Sequence, residues 1–166
     1  MIEKNLIVAF GGVSPEHEVS VLTAMQVMSA LGNSTYTIVP LYITKSGRWL
    51  TGESLMDLSN FKELDTLEAS AMSCSFVKDE AGRTFLKQQD AKGLFAKPRS
   101  FPVYAVVTAF HGSEGENGSF QGVCEMYNIP FTGSGVLASS VGMDKVKAKQ
   151  LCEANNIPVT PSLDFY

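Results

Sequence analysis

A buried strand that ends in glycines occurs twice in the first 120 residues of this chain. Residues 5–10 form a nearly continuous apolar run that stops at Gly11-Gly12, and a similar run over residues 102–110 precedes a loop with glycines at 112, 115 and 118. Apolar runs without alternation are typical of strands that are covered on both faces, as in a parallel sheet. The pattern predicts an α/β domain whose ligands bind at the carboxyl ends of its strands.

The segment after the first strand carries the start and stop signals of a helix. Ser14 is a candidate N-cap, Pro15 occupies the first helical position, and Gly32-Asn33 ends the pattern. Residues 35–44 form the next predicted strand, and a right-handed crossover makes it parallel to the first. The apolar residues of the helix recur on one predicted face, which carries Val19, Leu22, Met25, Met28 and Leu31.

The remaining segments complete an open, mostly parallel sheet with helices on both faces. Residues 75–78 and 83–86 flank a turn and predict an antiparallel β-hairpin, which we interpret as an insertion or an edge decoration. A helix is predicted over residues 119–127. A Lys-rich helix, capped by Asp144, is predicted over residues 145–154.

Charge and composition exclude several classes of protein. The 166 residues include 13 Lys+Arg and 17 Asp+Glu, whereas a nucleic-acid binder neutralises phosphates with a basic surface. No apolar run reaches the roughly 18 residues of a membrane-spanning helix, and the first residues lack the features of a signal peptide. Cys74, Cys124 and Cys152 form neither a CxxC pair nor a disulfide framework. We therefore expect a cytoplasmic protein without a metal site of its own.

The first candidate site directly follows the first strand. Gly11-Gly12 allows the backbone to approach a ligand closely, and the start of the helix near Ser14 offers unpaired N–H groups to an anion. Glu16 adds a carboxylate that suits an ammonium group. Together these groups suit the two charged ends of an amino acid. An ordinary tight turn before a well-capped helix is the alternative interpretation.

Two further candidate sites lie later in the chain. His111 suits hydrogen bonding to a carboxylate or proton transfer near neutral pH, and Glu116 suits orienting a neighbouring loop or contacting substrate. Because both glycine-rich loops follow adjacent strand ends, they are predicted to face one crevice. Lys145, at a helix start after residues 133–135, suits a nucleotide phosphate. A flexible loop with solvated acids and a solvated basic face are the respective alternatives.

The order and spacing of three motifs resemble the N-terminal part of the D-alanine–D-alanine ligase family. The longer middle stretch resembles the larger subgroup, which includes the D-alanine–D-lactate ligases of glycopeptide resistance. Asn117 departs from the family pattern, which usually has Asp there. The motifs are residues 11–20 (GGVSPEHEVS), residues 111–118 (HGSEGENG) with Gln121-Gly122, and residues 129–135 (IPFTGSG) through Met143-Asp144-Lys145.

The resemblance implies a Rossmann-like, pre-ATP-grasp fold and an ATP-dependent ligation. ATP phosphorylates the carboxylate of one D-alanine, and the amine of a second attacks the acyl-phosphate to form the dipeptide for peptidoglycan. Glu16 and His111 match catalytic positions, with Glu16 anchoring the first ammonium group. Lys145 matches a lysine that reaches the nucleotide. The implied substrate-binding positions are Gly12, Ser14, Val19, Gly112 and Glu116.

The resemblance also implies a longer enzyme. We expect residues 1–143 to form the N-terminal domain and residues 144–166 to begin a truncated ATP-grasp domain, with residues 157–166 running into a strand. ATP and Mg²⁺ or Mn²⁺ are the implied cofactors, with metal ligands outside this chain, and a homodimer is implied through the apolar first helix. The second substrate, D-alanine or D-lactate, stays open. Two alternatives also stay open: a truncated, non-catalytic module that binds a ligand or partner, and a flavodoxin-like or nucleotide-binding domain of unrelated function.

Overall fold

Six strands close into one mixed sheet in the computed structural model, which describes residues 4–91 and 96–163. Each strand pairs with the next along the chain, and the last returns to the first. The first strand runs parallel to both of its neighbours, whereas the other four pairs are antiparallel. The strands are β1 (Asn5–Gly11), β2 (Thr37–Ile43), β3 (Trp49–Thr51), β4 (Met72–Lys78), β5 (Thr84–Gln88) and β6 (Ser100–Thr108).

The prediction of an open, mostly parallel sheet with helices on both faces is therefore wrong. The predicted hairpin exists as β4 and β5, but it is no edge decoration, because β4 pairs with β3 and β5 pairs with β6. Phe76 and Leu86, one on each hairpin strand, are buried in the same core cluster as Ile7 of β1. The hairpin closes the sheet because it supplies core side chains as well as backbone hydrogen bonds. The three-residue strand β3 that connects it carries too little sequence pattern to be recognised.

Helices connect and flank these strands. The helix predicted over residues 119–127 is found at Ser119–Met126. Asp144 accepts a hydrogen bond from the backbone N–H of Lys147, as its predicted capping role requires. Two short 3-10 turns lie at Glu53–Met56 and Leu58–Lys62. The helices are α1 (His17–Leu31), α2 (Leu64–Ser70), α3 (Ser113–Glu116), α4 (Ser119–Met126), α5 (Val136–Met143) and α6 (Lys145–Ala154).

The buried face of α1 differs from the predicted one. Val19 and Leu22 are 46% and 48% exposed, whereas Met28 of the predicted face is buried, because α1 is turned so that another face packs on the sheet. That inward face satisfies polar backbone groups of the loops, which apolar periodicity does not reveal. Its buried residues are His17, Ser20, Val21, Ala24 and Met28.

The core lies on both sides of β1, every residue of which is buried, as its apolar run predicts. Ile7 and Ala9 belong to one cluster and Val8 and Phe10 to the other, in keeping with the alternation of side chains along a strand. Within the described residues, no helix combines the length and the apolar character that crossing a bilayer requires. Residues 157–163 form no strand, and the end of that predicted segment, residues 164–166, lies outside the described residues.

Candidate functional site

A cavity of about 270 Å³ lies at the carboxyl ends of β1, β2 and β6. Gly12 and Ser14 line it from the first loop, and Gly112 and Glu114 line it from the second. The apolar part of the wall comes from Ile43, Trp49, Phe110, Phe120 and Val123. The cavity is thus a small, largely apolar chamber with a few polar groups, the usual composition of a small-molecule site.

The two glycine-rich loops touch each other. The hydroxyl of Ser14 donates to the backbone oxygen of His111 at 2.8 Å and accepts from the backbone N–H of Glu16 at 3.1 Å. Gly112 has φ of +70°, and a Cβ there would lie 2.6 Å from Oε2 of Glu16. Only a glycine therefore fits beside this carboxylate. The structure brings the two predicted loops together at one crevice.

Not every predicted site residue lies in the cavity wall. Gly12, Ser14 and Gly112 do, whereas Glu16 and His111 lie beside it, where the loops meet. Ser14 does not cap α1, because the helix begins at His17, its N-cap position is Glu16, and no side chain caps its first turn.

The other three predicted residues have different positions. Glu116 accepts a hydrogen bond from the backbone N–H of Gly112 at 2.9 Å, so it braces its own loop. Val19 lies on the exposed side of α1. Lys145 is exposed at the start of α6, where its ammonium group lies 3.5 Å from the backbone oxygen of Gly142. The structure does not bring Val19 or Lys145 into the cavity wall.

A polar stripe on α1, which we define as His17, Ser20 and Thr23, fastens the strand ends together. The hydroxyl of Ser20 accepts from the backbone N–H of Gly11 and donates to the backbone oxygen of Ala109, both at 2.8 Å. It thereby ties the end of β1 to the end of β6. Residues three apart on a helix share a face, so the spacing in the sequence was a usable signal that the apolar pattern obscured.

His17, the first member of the polar stripe, is almost fully buried, at 1% exposure. Its Nδ1 lies 2.8 Å from the backbone oxygen of Gly12 and its Nε2 lies 2.9 Å from the hydroxyl of Tyr42. Because a carbonyl oxygen only accepts, Nδ1 carries the proton and Nε2 accepts from Tyr42. Burial raises the pKa of Tyr42 to about 12, which keeps that hydroxyl protonated as a donor. The chain of contacts fixes the position of Gly12.

The described residues form neither a cluster of metal ligands nor a disulfide. In the described part of the chain, no three His, Cys, Asp or Glu side chains are grouped to hold a metal ion. The described residues of this chain therefore do not fit a magnesium site. The described cysteines are free, and burial raises the pKa of Cys74 and of Cys124 to about 12.

Comparison with known proteins decides the family. The family model for the D-ala D-ala ligase N-terminus matches residues 5–134, a range that includes both loops and the whole cavity wall. The chain belongs to the D-alanine–D-alanine ligase N-terminus family. Lys145 and α6 lie beyond the matched range.

Curated relatives of this family cover nearly all of the chain. The D-alanine–D-alanine ligase of Thermosipho melanesiensis is 39% identical over 155 residues, which are 93% of this chain and 41% of the relative. That of Geobacillus kaustophilus is 38% identical over 144 residues, which are 87% of this chain and 37% of the relative. The chain therefore spans less than half the length of these curated ligases.

Solved structures agree with the family assignment. The D-alanine–D-alanine ligase from Coxiella burnetii has a TM-score of 0.80 and 27% identity, covering 97% of this chain and 44% of that one. The VanG D-Ala:D-Ser ligase from Enterococcus faecalis has a TM-score of 0.73 and 28% identity, covering 95% of this chain and 43% of that one. The fold described above is thus the N-terminal fold of this ligase family.

Proposed function

We propose that this chain is the N-terminal, substrate-positioning domain of an ATP-dependent D-alanine–D-alanine ligase. The contact between the two glycine-rich loops, with Ser14 bonded to His111 and Glu16 beside Gly112, is the observation that supports it most. It places a carboxylate and an imidazole-bearing residue at one crevice within a family whose curated relatives are ligases for D-alanine. The dipeptide product would serve peptidoglycan synthesis in the cytoplasm.

The crevice has groups that complement a zwitterion. In the proposal the exposed carboxylate of Glu16 binds the ammonium of the first D-alanine, and His111 lies near its carboxylate. The positive end of the α1 dipole, at His17, adds favourable interaction with the carboxylate that becomes phosphorylated. Gly12, Ser14 and Gly112 supply backbone that approaches the substrate closely, and Glu116 supports this backbone through its hydrogen bond with Gly112. In the proposal, Val19 contacts the methyl group of the substrate from α1.

The rest of the reaction is assigned to parts of the enzyme outside this cavity. In the proposal residues 1–143 form the N-terminal domain and residues 144–166 begin the ATP-grasp domain, where ATP and Mg²⁺ bind. Lys145 meets the nucleotide from the start of α6, whose Asp144 cap is present. ATP phosphorylates the first D-alanine, the amine of the second attacks, and phosphate leaves. A homodimer forms through α1.

The role of Glu16 is tested in the whole ligase that carries this domain. We expect Glu16→Ala to raise KM for the first D-alanine by roughly 10- to 150-fold, because it removes a charge-assisted contact. Glu80→Ala is the matched control, since Glu80 is exposed in the turn between β4 and β5. An unchanged KM in the Glu16 variant would remove Glu16 from the anchor role.

A second candidate function is a non-catalytic binding module of the same fold. Sequencing the gene past Tyr166 separates the two candidates, because a reading frame that continues into a Lys- and Gly-rich segment supports the ligase and a stop codon supports the module. In either case we expect no D-alanine-dependent phosphate release from the 166 residues alone.

A further inference from the structure

One contact of the polar stripe has no part in the function described so far. Oγ1 of Thr23 lies 2.8 Å from Nε2 of His111, although the two residues are 88 positions apart in the chain. Both side chains are half-buried. Within residues 4–91 and 96–163, the structure shows no hydrogen-bond partner for the other ring nitrogen of His111, Nδ1.

We propose that Thr23 is a positioning residue that donates its hydroxyl proton to Nε2 of His111, so that the free Nδ1 carries the ring proton and donates to the substrate's carboxylate. The inference rests on the proposed function and extends it. It assigns to α1 a residue that touches no substrate and acts through His111.

The direction of this hydrogen bond follows from what a carboxylate needs. A neutral imidazole has one N–H and one lone pair, whereas a hydroxyl either donates or accepts. If Nε2 donated to Thr23, the free Nδ1 would present a lone pair to an anion, and the two would repel. If Thr23 donates, Nδ1–H faces the anion as a donor. A carboxylate ligand therefore selects the second arrangement, and a threonine, unlike a valine, permits it.

The backbone of His111 is held by the same part of the molecule as its ring. Its carbonyl oxygen accepts from Ser14, just before α1, at 2.8 Å. Two residues earlier, the carbonyl oxygen of Ala109 accepts from Ser20, one turn before Thr23 on the helix. Hydrogen bonds from α1 and from Ser14 thus hold both the main chain around His111 and its imidazole ring. A ring held at both places loses little further freedom on binding substrate, which favours affinity.

The tautomer of His111 is measurable without any ligase activity. The chain contains two histidines, so a long-range ¹H–¹⁵N spectrum of the 166-residue protein shows two rings, and a His111→Asn variant assigns them. At pH 8.5, where an ordinary imidazole is neutral, we expect His111 to be mainly the Nδ1–H tautomer. An Nε2–H ring in the unmodified protein would overturn the proposal.

Variants of Thr23 test the cause of that tautomer. Thr23→Val keeps the shape and removes the hydroxyl, so we expect the His111 signals to move towards the Nε2–H form while those of His17 stay unchanged. Thr23→Ser keeps the hydroxyl and should restore the original signals. The unchanged His17 signals show that the valine variant is folded. A His111 ring that is indifferent to the valine substitution would overturn the role of Thr23.

Kinetic measurements on the whole ligase distinguish this inference from the proposed function. In the whole ligase we expect Thr23→Val to raise KM for the first D-alanine by roughly 2- to 10-fold, the usual effect of losing a neutral hydrogen bond, and Thr23→Ser to reverse it. A tautomer change without a KM change would overturn the positioning role. A whole ligase without substitutions that ligates no D-alanine, although the 166-residue protein holds the Nδ1–H tautomer, would sustain the contact and refute the proposed function instead.

Discussion

The loop pair, residues 11–16 and 109–118, and the C-terminal helices α5 and α6 are built in opposite ways. The loop pair is tied by side chains buried beneath it, with Ser20 bridging Gly11 and Ala109 at 2.8 Å on each side. The C-terminal helices contain no buried residue, and Leu137 and Leu151 are 78% and 56% exposed. Hydrogen bonds within this chain thus hold the predicted substrate residues in place. Lys145, in contrast, lies on a helix with no buried residue.

The difference is in keeping with the proposed assignment of amino-acid binding to the loop pair and of nucleotide binding to Lys145. Groups that bind a small zwitterion need positions fixed within a fraction of an ångström, and a closed sheet whose strand-end loops are hydrogen-bonded to α1 supplies them. A nucleotide that contacts Lys145 would lie between α6 and a second protein surface, so Lys145 alone does not complete a nucleotide site. The family match ends at residue 134, so it includes the loop pair and ends before α5 and α6.

We expect the largest difference in the free energy of unfolding between a substitution in the core of the sheet and one at an exposed position of α6. Phe76 is 4% exposed, with its ring centroid 5.5 Å from that of Trp49 and 5.7 Å from that of Tyr127. Phe76→Ala should lower the free energy of unfolding by about 3–5 kcal/mol, and Leu151→Ala by less than about 0.5 kcal/mol. Urea denaturation measures both. Similar losses for the two variants would abolish the contrast, and a mild loss at Phe76 would show that the hairpin is peripheral.

Two glycines sharpen the comparison. A Cβ at Gly11, which has φ of +89°, would lie 2.2 Å from the backbone oxygen of Ile43, whereas a Cβ at Gly142 in α5 meets nothing within 4 Å. Gly11→Ala should destabilise the fold by about 2–4 kcal/mol through backbone strain and overpacking. Gly142→Ala should stabilise it by up to about 1 kcal/mol, because alanine is the better helix former. Thermal unfolding of both variants checks the signs, and a tolerated Gly11→Ala would contradict the tight junction of β1 and β2.

Local elements were predictable where one physical cause dominated. β1 is covered on both faces, so its apolar run revealed it, and Asp144 caps α6 through a contact within three residues. The closed sheet was not predictable, because closure depends on the long-range pairing of β5 with β6 and on a three-residue β3. The buried apolar runs and the family resemblance both led to the prediction of an open sheet, and the observed strand pairing is closed instead.

The candidate site was predictable in its loops and not in its supports. Glycines after two buried strands placed Gly12 and Gly112 at one crevice. The supporting side chains His17 and Ser20 were missed, because polar residues on a helix that also carries Val19 and Leu22 are ordinarily assigned to solvent. Here the loop backbone needs hydrogen-bond partners inside the fold, and that requirement determines which side of α1 faces inward.

The smallest effect on stability is expected on the exposed side of α1. An ion pair lies there, opposite the buried polar stripe. The Lys45 side chain donates a hydrogen bond to Glu18, and this lowers the pKa of the Glu18 carboxyl below its ordinary value. Because the folded pKa lies below the unfolded one, the stabilisation is present above the unfolded pKa and is lost as the pH falls through the folded pKa. Both groups are more than half exposed, so solvent and salt screen the pair.

Glu18→Gln should therefore change stability near neutral pH by less than about 0.5 kcal/mol, with a smaller difference still in high salt. Unfolding curves of the variant and the unmodified protein at pH 7 and pH 3, each with and without salt, measure this. A difference that persisted undiminished at pH 3 would show that the carboxylate charge is not its cause.

A crystal structure of the whole protein with D-alanine bound tests the central claim most directly. We expect the amino acid in the crevice between the two loops, with its ammonium nitrogen about 3 Å from a carboxylate oxygen of Glu16 and its carboxylate beside the ring of His111. D-alanine bound at a place where neither side chain reaches it would contradict the claim.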